Sequence, residues 1–214
     1  MQTQKFFEHF IGKVGLIETV ITIPSNNFAG VVFITHPHPL FGGSMNNKVV
    51  TTIDKAYLAR NFLTVKFNFR GVGTSDGQFD NGCGETEDLL LLFDQVLKFS
   101  PIQQRLEKQK ILISFAGFSF GTYVIARALL KKSVDFTLLL GTAPNKWNYP
   151  DIAQNFTAIH GEFDNVVPLP DILSWMNKQN KPLIVIPGAN HFFDRKLNLL
   201  KQTLLNNICN NDHE

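Results

Sequence analysis

Short apolar runs alternate with longer amphipathic ones along almost the whole chain, and this alternation limits the possible folds more than any other feature. Residues 16–23, 31–35, 63–69, 111–115, 136–140, 157–160 and 183–186 are brief and rich in Val, Ile, Phe and Thr. Several are apolar almost throughout, as strands buried on both faces must be. Between them, residues 47–60, 85–99, 122–131, 171–178 and 195–207 read as helices. In the second of these, Leu89, Leu92, Phe93, Val96 and Leu97 recur at helical spacing, and Pro101 closes the segment. The pattern predicts an α/β fold with a mostly parallel sheet of about seven to eight strands and helices on both faces. In such sheets ligands bind outside the carboxyl ends of the strands, so the loops that follow strands are the ones that bear on function.

Other function classes fall away on composition. Twenty basic against eighteen acidic residues leave a net charge of +2, which gives no electrostatic reason to expect nucleic acid. With 214 residues the expectation is one domain over 1–214, with no repeat or linker to divide it. Cys83 and Cys209 match no zinc-ligand spacing and are expected as reduced thiols. Residues 1–15 are interrupted by Lys5, Glu8, His9 and Lys13 and hold no apolar run for a signal peptide. No stretch reaches the roughly 20 apolar residues that span a bilayer. A soluble cytoplasmic protein, without membrane or nucleic-acid partner, is expected; its oligomeric state stays open, a homodimer included.

The first chemical signal is Gly117-Phe118-Ser119-Phe120-Gly121, lying between a strand and a helix. A sharp strand-to-helix turn lifts a serine Oγ clear of the sheet, and the crowding of such a turn explains glycine two positions before and after it. The same turn aims the Phe120 N–H, at the positive end of the helix, toward a bound acyl oxygen. A serine hydroxyl needs a general base, and the base needs a carboxylate to hold its tautomer. A nucleophile elbow carries these partners in the order serine, carboxylate, histidine. After Ser119, the run Thr157 to Pro168 is a strand ending in a loop with Glu162 and Asp164, and Leu183 to Phe193 is a strand ending in a loop with His191. Asp164 is preferred to Glu162 because it lies deeper in its loop. His191 is preferred to His160, which lies within a strand, and to His9 and His213 near the termini.

Two further loops matter. In His36-Pro37-His38-Pro39-Leu40 the prolines cannot donate a hydrogen bond, so the Leu40 N–H is the first choice for a second oxyanion donor and His38 the alternative. A metal held by His36 and His38 is set aside for want of acidic partners nearby, and no metal is expected. Arg70-Gly71-Val72-Gly73-Thr74-Ser75-Asp76-Gly77 superficially resembles a dinucleotide fingerprint, but its third glycine is one position late and no helix starts there. A structural turn is preferred, with Arg70 and Asp76 anchoring loops; no cofactor is expected.

With these loops in hand, the chain resembles the α/β-hydrolase superfamily over nearly its whole length. HPHPLFGGSMNNKVV, FNFRGVGTSDG and GFSFG are similar to compact bacterial hydrolases related to dienelactone hydrolases, esterases and thioesterases. The resemblance implies Ser119, Asp164 and His191 as nucleophile, acid and base, with a backbone oxyanion hole. Dienelactone hydrolases proper use a cysteine where this chain has Ser119. Many relatives insert a helical lid, whereas residues 141–155 here are too few for one. The implied site is shallow and open, walled by Leu40, Phe41, Phe118, Phe120, Trp147, Tyr149, Val166 and Phe192. A serine hydrolase of carboxylesterase or thioesterase type is the expectation, acting on a small acyl ester or thioester. A peptidase, amidase or acyltransferase with the same triad, or a non-catalytic binding protein of the same fold, are the alternatives.

Overall fold

A computed structural model describes residues 3–24 and 27–208. Eight strands form one sheet: β1 (Gln4–Ile11), β2 (Leu16–Ile23), β3 (Gly30–Thr35), β4 (Phe62–Phe67), β5 (Leu112–Phe118), β6 (Phe136–Leu140), β7 (Thr157–Gly161) and β8 (Leu183–Ile186). Their order across the sheet is β1-β2-β4-β3-β5-β6-β7-β8. β1 and β2 form an antiparallel hairpin, and β2 also runs antiparallel to β4. From β4 to β8 every pair is parallel. The carboxyl ends of β3 to β8 therefore lie along one edge, with β5 near the middle.

Strand periodicity decides what lies on each face. In β3, Val31 and Phe33 join one core while Val32 and Ile34 join the other. The first core is closed by α2 (Cys83–Val96), α4 (Phe120–Ala128) and α5 (Leu169–Gln179), through Leu89, Leu92 and Phe93, Val124 and Ile125, and Ile172 and Met176. The second is closed by α1 (Lys48–Ala59) and α6 (Leu197–Asn207), through Val49, Ile53 and Tyr57, and Leu200 and Leu204. A strand with no solvated face favours apolar side chains throughout, which is why residues 31–34 read as unbroken apolar sequence.

Two elements escape the sequence reading. β1 carries Lys5, Glu8 and His9 because it is an edge strand with a solvated face; only Phe6, Glu8 and Phe10 are half-buried. A further helix, α3 (Ser100–Leu106), follows α2, and Pro101 opens it rather than only closing the helix before. Strand β5 also runs three residues past the expected end, through Gly117 to Phe118. Cys83 is free and exposed; Cys209 and His213 lie outside the described residues. Among the described residues no helix is long and apolar enough to cross a membrane.

Candidate active site

Ser119 stands between β5 and α4 with φ 53° and ψ −121°, a left-handed conformation rare for any residue but glycine. Such strain costs on the order of 1–3 kcal/mol and persists because the surroundings impose it. Its own N–H donates to the Leu140 carbonyl at 2.8 Å, tying the turn to β6. The flanking glycines face the end of β3. A Cβ on Gly117 would lie 2.3 Å from Thr35 Oγ1, and one on Gly121 would lie 2.6 Å from that atom and 2.7 Å from the His36 carbonyl oxygen. The spacing of this motif is thus a packing requirement between neighbouring strands.

The loops after β7 and β8 bring the other two residues to the serine. His191 Nε2 lies 3.0 Å from Ser119 Oγ, and His191 Nδ1 lies 2.6 Å from Asp164 Oδ2. The other carboxylate oxygen accepts the Val166 and Val167 N–H groups at 2.9 and 2.8 Å. Burial pushes the Asp164 carboxyl up, but the hydrogen bond and charge of His191, the Val167 amide and His160 together hold it below its ordinary value. An ionised Asp164 accepts a hydrogen bond from the Nδ1–H, which leaves Nε2 as the acceptor facing the hydroxyl. His191 is buried, seated on the Phe118 ring at 5.1 Å. Gly141 lies so close beneath it that a Cβ there would meet its Cε1 at 3.2 Å. Glu162 is exposed and accepts the Gly188 N–H at 2.7 Å, away from the histidine.

His160 packs and bonds a backbone group, as its place in a strand implies: Nε2 donates to the Val167 carbonyl at 2.9 Å, while Nδ1 has no partner among the described residues. The same Nε2 lies 3.5 Å from Asp164 Oδ2, a proximity the sequence did not reveal. Burial lowers its pKa, against the bond to Val167 and the charge of Asp164.

The loop after β3 is held by its first histidine. His36 Nδ1 donates to the Pro37 carbonyl at 2.7 Å, and Nε2 accepts the Phe69 N–H at 2.9 Å. Burial lowers its pKa to about 4, against the bond to Pro37, so the ring is neutral and both nitrogens are used. Among the described residues no group of His, Cys, Asp or Glu is placed to hold a metal. The turn after β4 is anchored as expected. Arg70 Nε meets Asp88 Oδ2 at 2.8 Å, and Asp76 Oδ2 accepts the Leu16 N–H at 2.7 Å.

Four of the expected assignments need correction. The Leu40 N–H donates to His38 Nδ1 at 3.2 Å, so it is spent on the short turn over Pro39–Phe41. The signal was present in the sequence: Pro39 at the first helical position marks residue 38 as the cap and residue 40 as the donor it holds. The N–H groups of His38 and Phe120 have no acceptor among the described residues. The side chains of Phe118, Phe120 and Tyr149 do not wall the site, because all three are buried. Phe118 supports His191 from below, Phe120 packs on Phe69 and Trp147, and the Tyr149 hydroxyl pairs with Thr122 Oγ1 at 2.6 Å. Leu40, Phe41, Val166 and Phe192 are exposed and Trp147 half-exposed.

No protein-family model matches the chain. An uncharacterized protein of Rickettsia prowazekii (strain Madrid E) is 31% identical over 204 residues, covering 88% of this chain and 82% of its own. An α/β serine hydrolase homologue from Coxiella burnetii is 35% identical with a TM-score of 0.85, over 98% of this chain and 99% of that one. An α/β serine hydrolase without a lid from Xanthomonas campestris is 31% identical with a TM-score of 0.85, over 96% and 94%.

Proposed function

Because the chain belongs to the lidless α/β serine hydrolase family, we propose that it cleaves ester-like acyl bonds of the carboxylesterase or thioesterase type through an acyl-enzyme on Ser119. The observation that carries this reading is the unbroken line from Ser119 Oγ through the His191 ring to Asp164, with contacts of 3.0 and 2.6 Å. Ser119 attacks the acyl carbon as its proton passes to His191 Nε2, and Asp164 steadies the imidazolium so formed. The carbonyl oxygen becomes an oxyanion and takes hydrogen bonds from the Phe120 N–H, at the amino end of α4, and from the His38 N–H. The Pro37 carbonyl of that second peptide is held by His36 Nδ1 at 2.7 Å, and a trans peptide points its N–H the opposite way. Each such donor contributes roughly 2.7–4 kcal/mol to the transition state. The oxyanion collapses, the leaving group departs with the proton from His191, and water repeats the sequence to release the acid and restore Ser119.

The substrate in this reading is a small molecule with an apolar acyl part laid against Leu40, Phe41, Val166 and Phe192. The test is a panel of p-nitrophenyl esters of graded length beside acyl-CoA thioesters and aminoacyl anilides, run on wild type and Ser119→Ala. Turnover of esters or thioesters by wild type alone supports the proposal. Turnover confined to anilides, or equal turnover by both proteins, refutes it.

A further inference from the structure

The His38 side chain takes no part in the steps above, yet its backbone N–H is one of the two oxyanion donors proposed there. Its ring is enclosed by Phe79, Phe41, Phe120 and Trp147, with centroids at 4.6, 4.7, 5.1 and 5.7 Å. Its Nδ1 accepts the Leu40 N–H, and its carbonyl accepts the N–H groups of Phe41 at 3.2 Å and Gly43 at 3.0 Å. The return of the loop onto that carbonyl requires glycine at 43, where a Cβ would lie 2.1 Å from the Pro37 carbonyl oxygen. Pro39 has no N–H, so Leu40 carries the first donor of the turn that needs an acceptor. The side chain of His38 thus closes the turn from one side and its carbonyl from the other. Its N–H is the one hydrogen-bonding group of its backbone without a partner among the described residues.

We propose that the His38 imidazole is a positioning residue that caps the turn over 39–41 and so keeps its own backbone N–H aimed at the acyl oxygen. The inference rests on the reading of Ser119 as the nucleophile. It assigns the side chain two separable properties: an acceptor for Leu40 and a flat apolar body for the aromatic enclosure. Asparagine is among the best capping residues, whereas phenylalanine has no acceptor. His38→Asn therefore keeps the first property and loses the second, and His38→Phe does the reverse.

The experiment measures kcat and KM for a p-nitrophenyl ester, together with the inhibition constant of an alkyl boronic acid whose tetrahedral adduct places an oxygen where the oxyanion forms. His38→Phe should lose about tenfold in kcat with KM nearly unchanged, the loss expected from one missing cap felt in the transition state. Its boronate constant should rise by a similar factor, and His38→Asn should lose clearly less than His38→Phe in both measures. His38→Leu, also apolar and without an acceptor, should behave as His38→Phe does and serves in its place if that variant does not fold. Wild-type behaviour of the acceptor-less variants, or a larger loss in His38→Asn than in His38→Phe, overturns the positioning role alone. Wild type that neither turns over ester nor binds boronate overturns the hydrolase reading and this inference with it.

Discussion

Replacing Asp164 by asparagine changes one atom's chemistry and almost nothing of its shape, and the surrounding donors decide how the amide must sit. Oδ1 accepts two backbone N–H groups, from Val166 at 2.9 Å and Val167 at 2.8 Å. An amide NH2 in that place would oppose donor to donor, so the asparagine oxygen takes it and the NH2 faces His191 Nδ1, where the carboxylate contact is 2.6 Å. Nδ1 must then accept, the ring proton moves to Nε2, and the imidazole meets the Ser119 hydroxyl as a donor rather than a base. A wrong tautomer of this kind costs about 10⁴ in kcat, or about 5 kcal/mol of transition-state stabilisation. KM should change little, because nothing that touches substrate has moved. The assay is steady-state hydrolysis of a p-nitrophenyl ester, with circular dichroism confirming an intact fold. Glu162→Gln is the control; its exposed carboxylate holds only Gly188 in the loop, and kcat should be unchanged. A folded Asp164→Asn with more than about a tenth of wild-type kcat, less than 1.4 kcal/mol of loss, refutes the reasoning.

Buried His36 makes stability depend on pH. Its folded pKa of about 4 lies below the ordinary 6.5, so the unfolded chain takes up a proton that the native state refuses. Its contribution is complete above about 6.5 and falls as pH drops toward 4, by about 3 kcal/mol at 1.36 kcal/mol per unit. Urea denaturation across that window should show wild type losing about this much more than His36→Gln, and parallel losses would refute it. Asp164 works in the same direction at lower pH: its lowered pKa gives stability above the unfolded carboxylate value, lost as pH falls through the folded one. Gly121→Ala should destabilise by about 1–3 kcal/mol, because its Cβ meets the His36 backbone as well as Thr35. Adding Thr35→Ala should recover more stability in Gly117→Ala than in Gly121→Ala, and equal recovery in thermal melts would contradict that packing.

Most of the sheet was legible because its strands are buried on both faces and so leave largely apolar runs, as in 31–34 and 138–140. β1 was not, because an edge strand keeps charged residues on its open side. At the site, the chain order of Ser119, Asp164 and His191 could be read because each follows a strand in a loop. Which aromatic side chains face the serine could not. Phe118 ends β5 and alternation turns it into the core of α1 and α6, while Phe120 is turned into the opposite core by α4. The Leu40 amide is lost to the site because Pro39 opens a short turn in which Leu40 carries the first N–H and the His38 side chain caps it. The closeness of His160 to Asp164 depends on how the loop after β7 folds back, which no local pattern encodes.

The direct test of the central claim is covalent labelling with a fluorophosphonate, read as intact mass and then by mapping the modified peptide. A single adduct on Ser119 in wild type, absent from Ser119→Ala and strongly slowed in His191→Ala, is the predicted result. Equal labelling of Ser119→Ala, or an adduct on any other residue, would contradict the account.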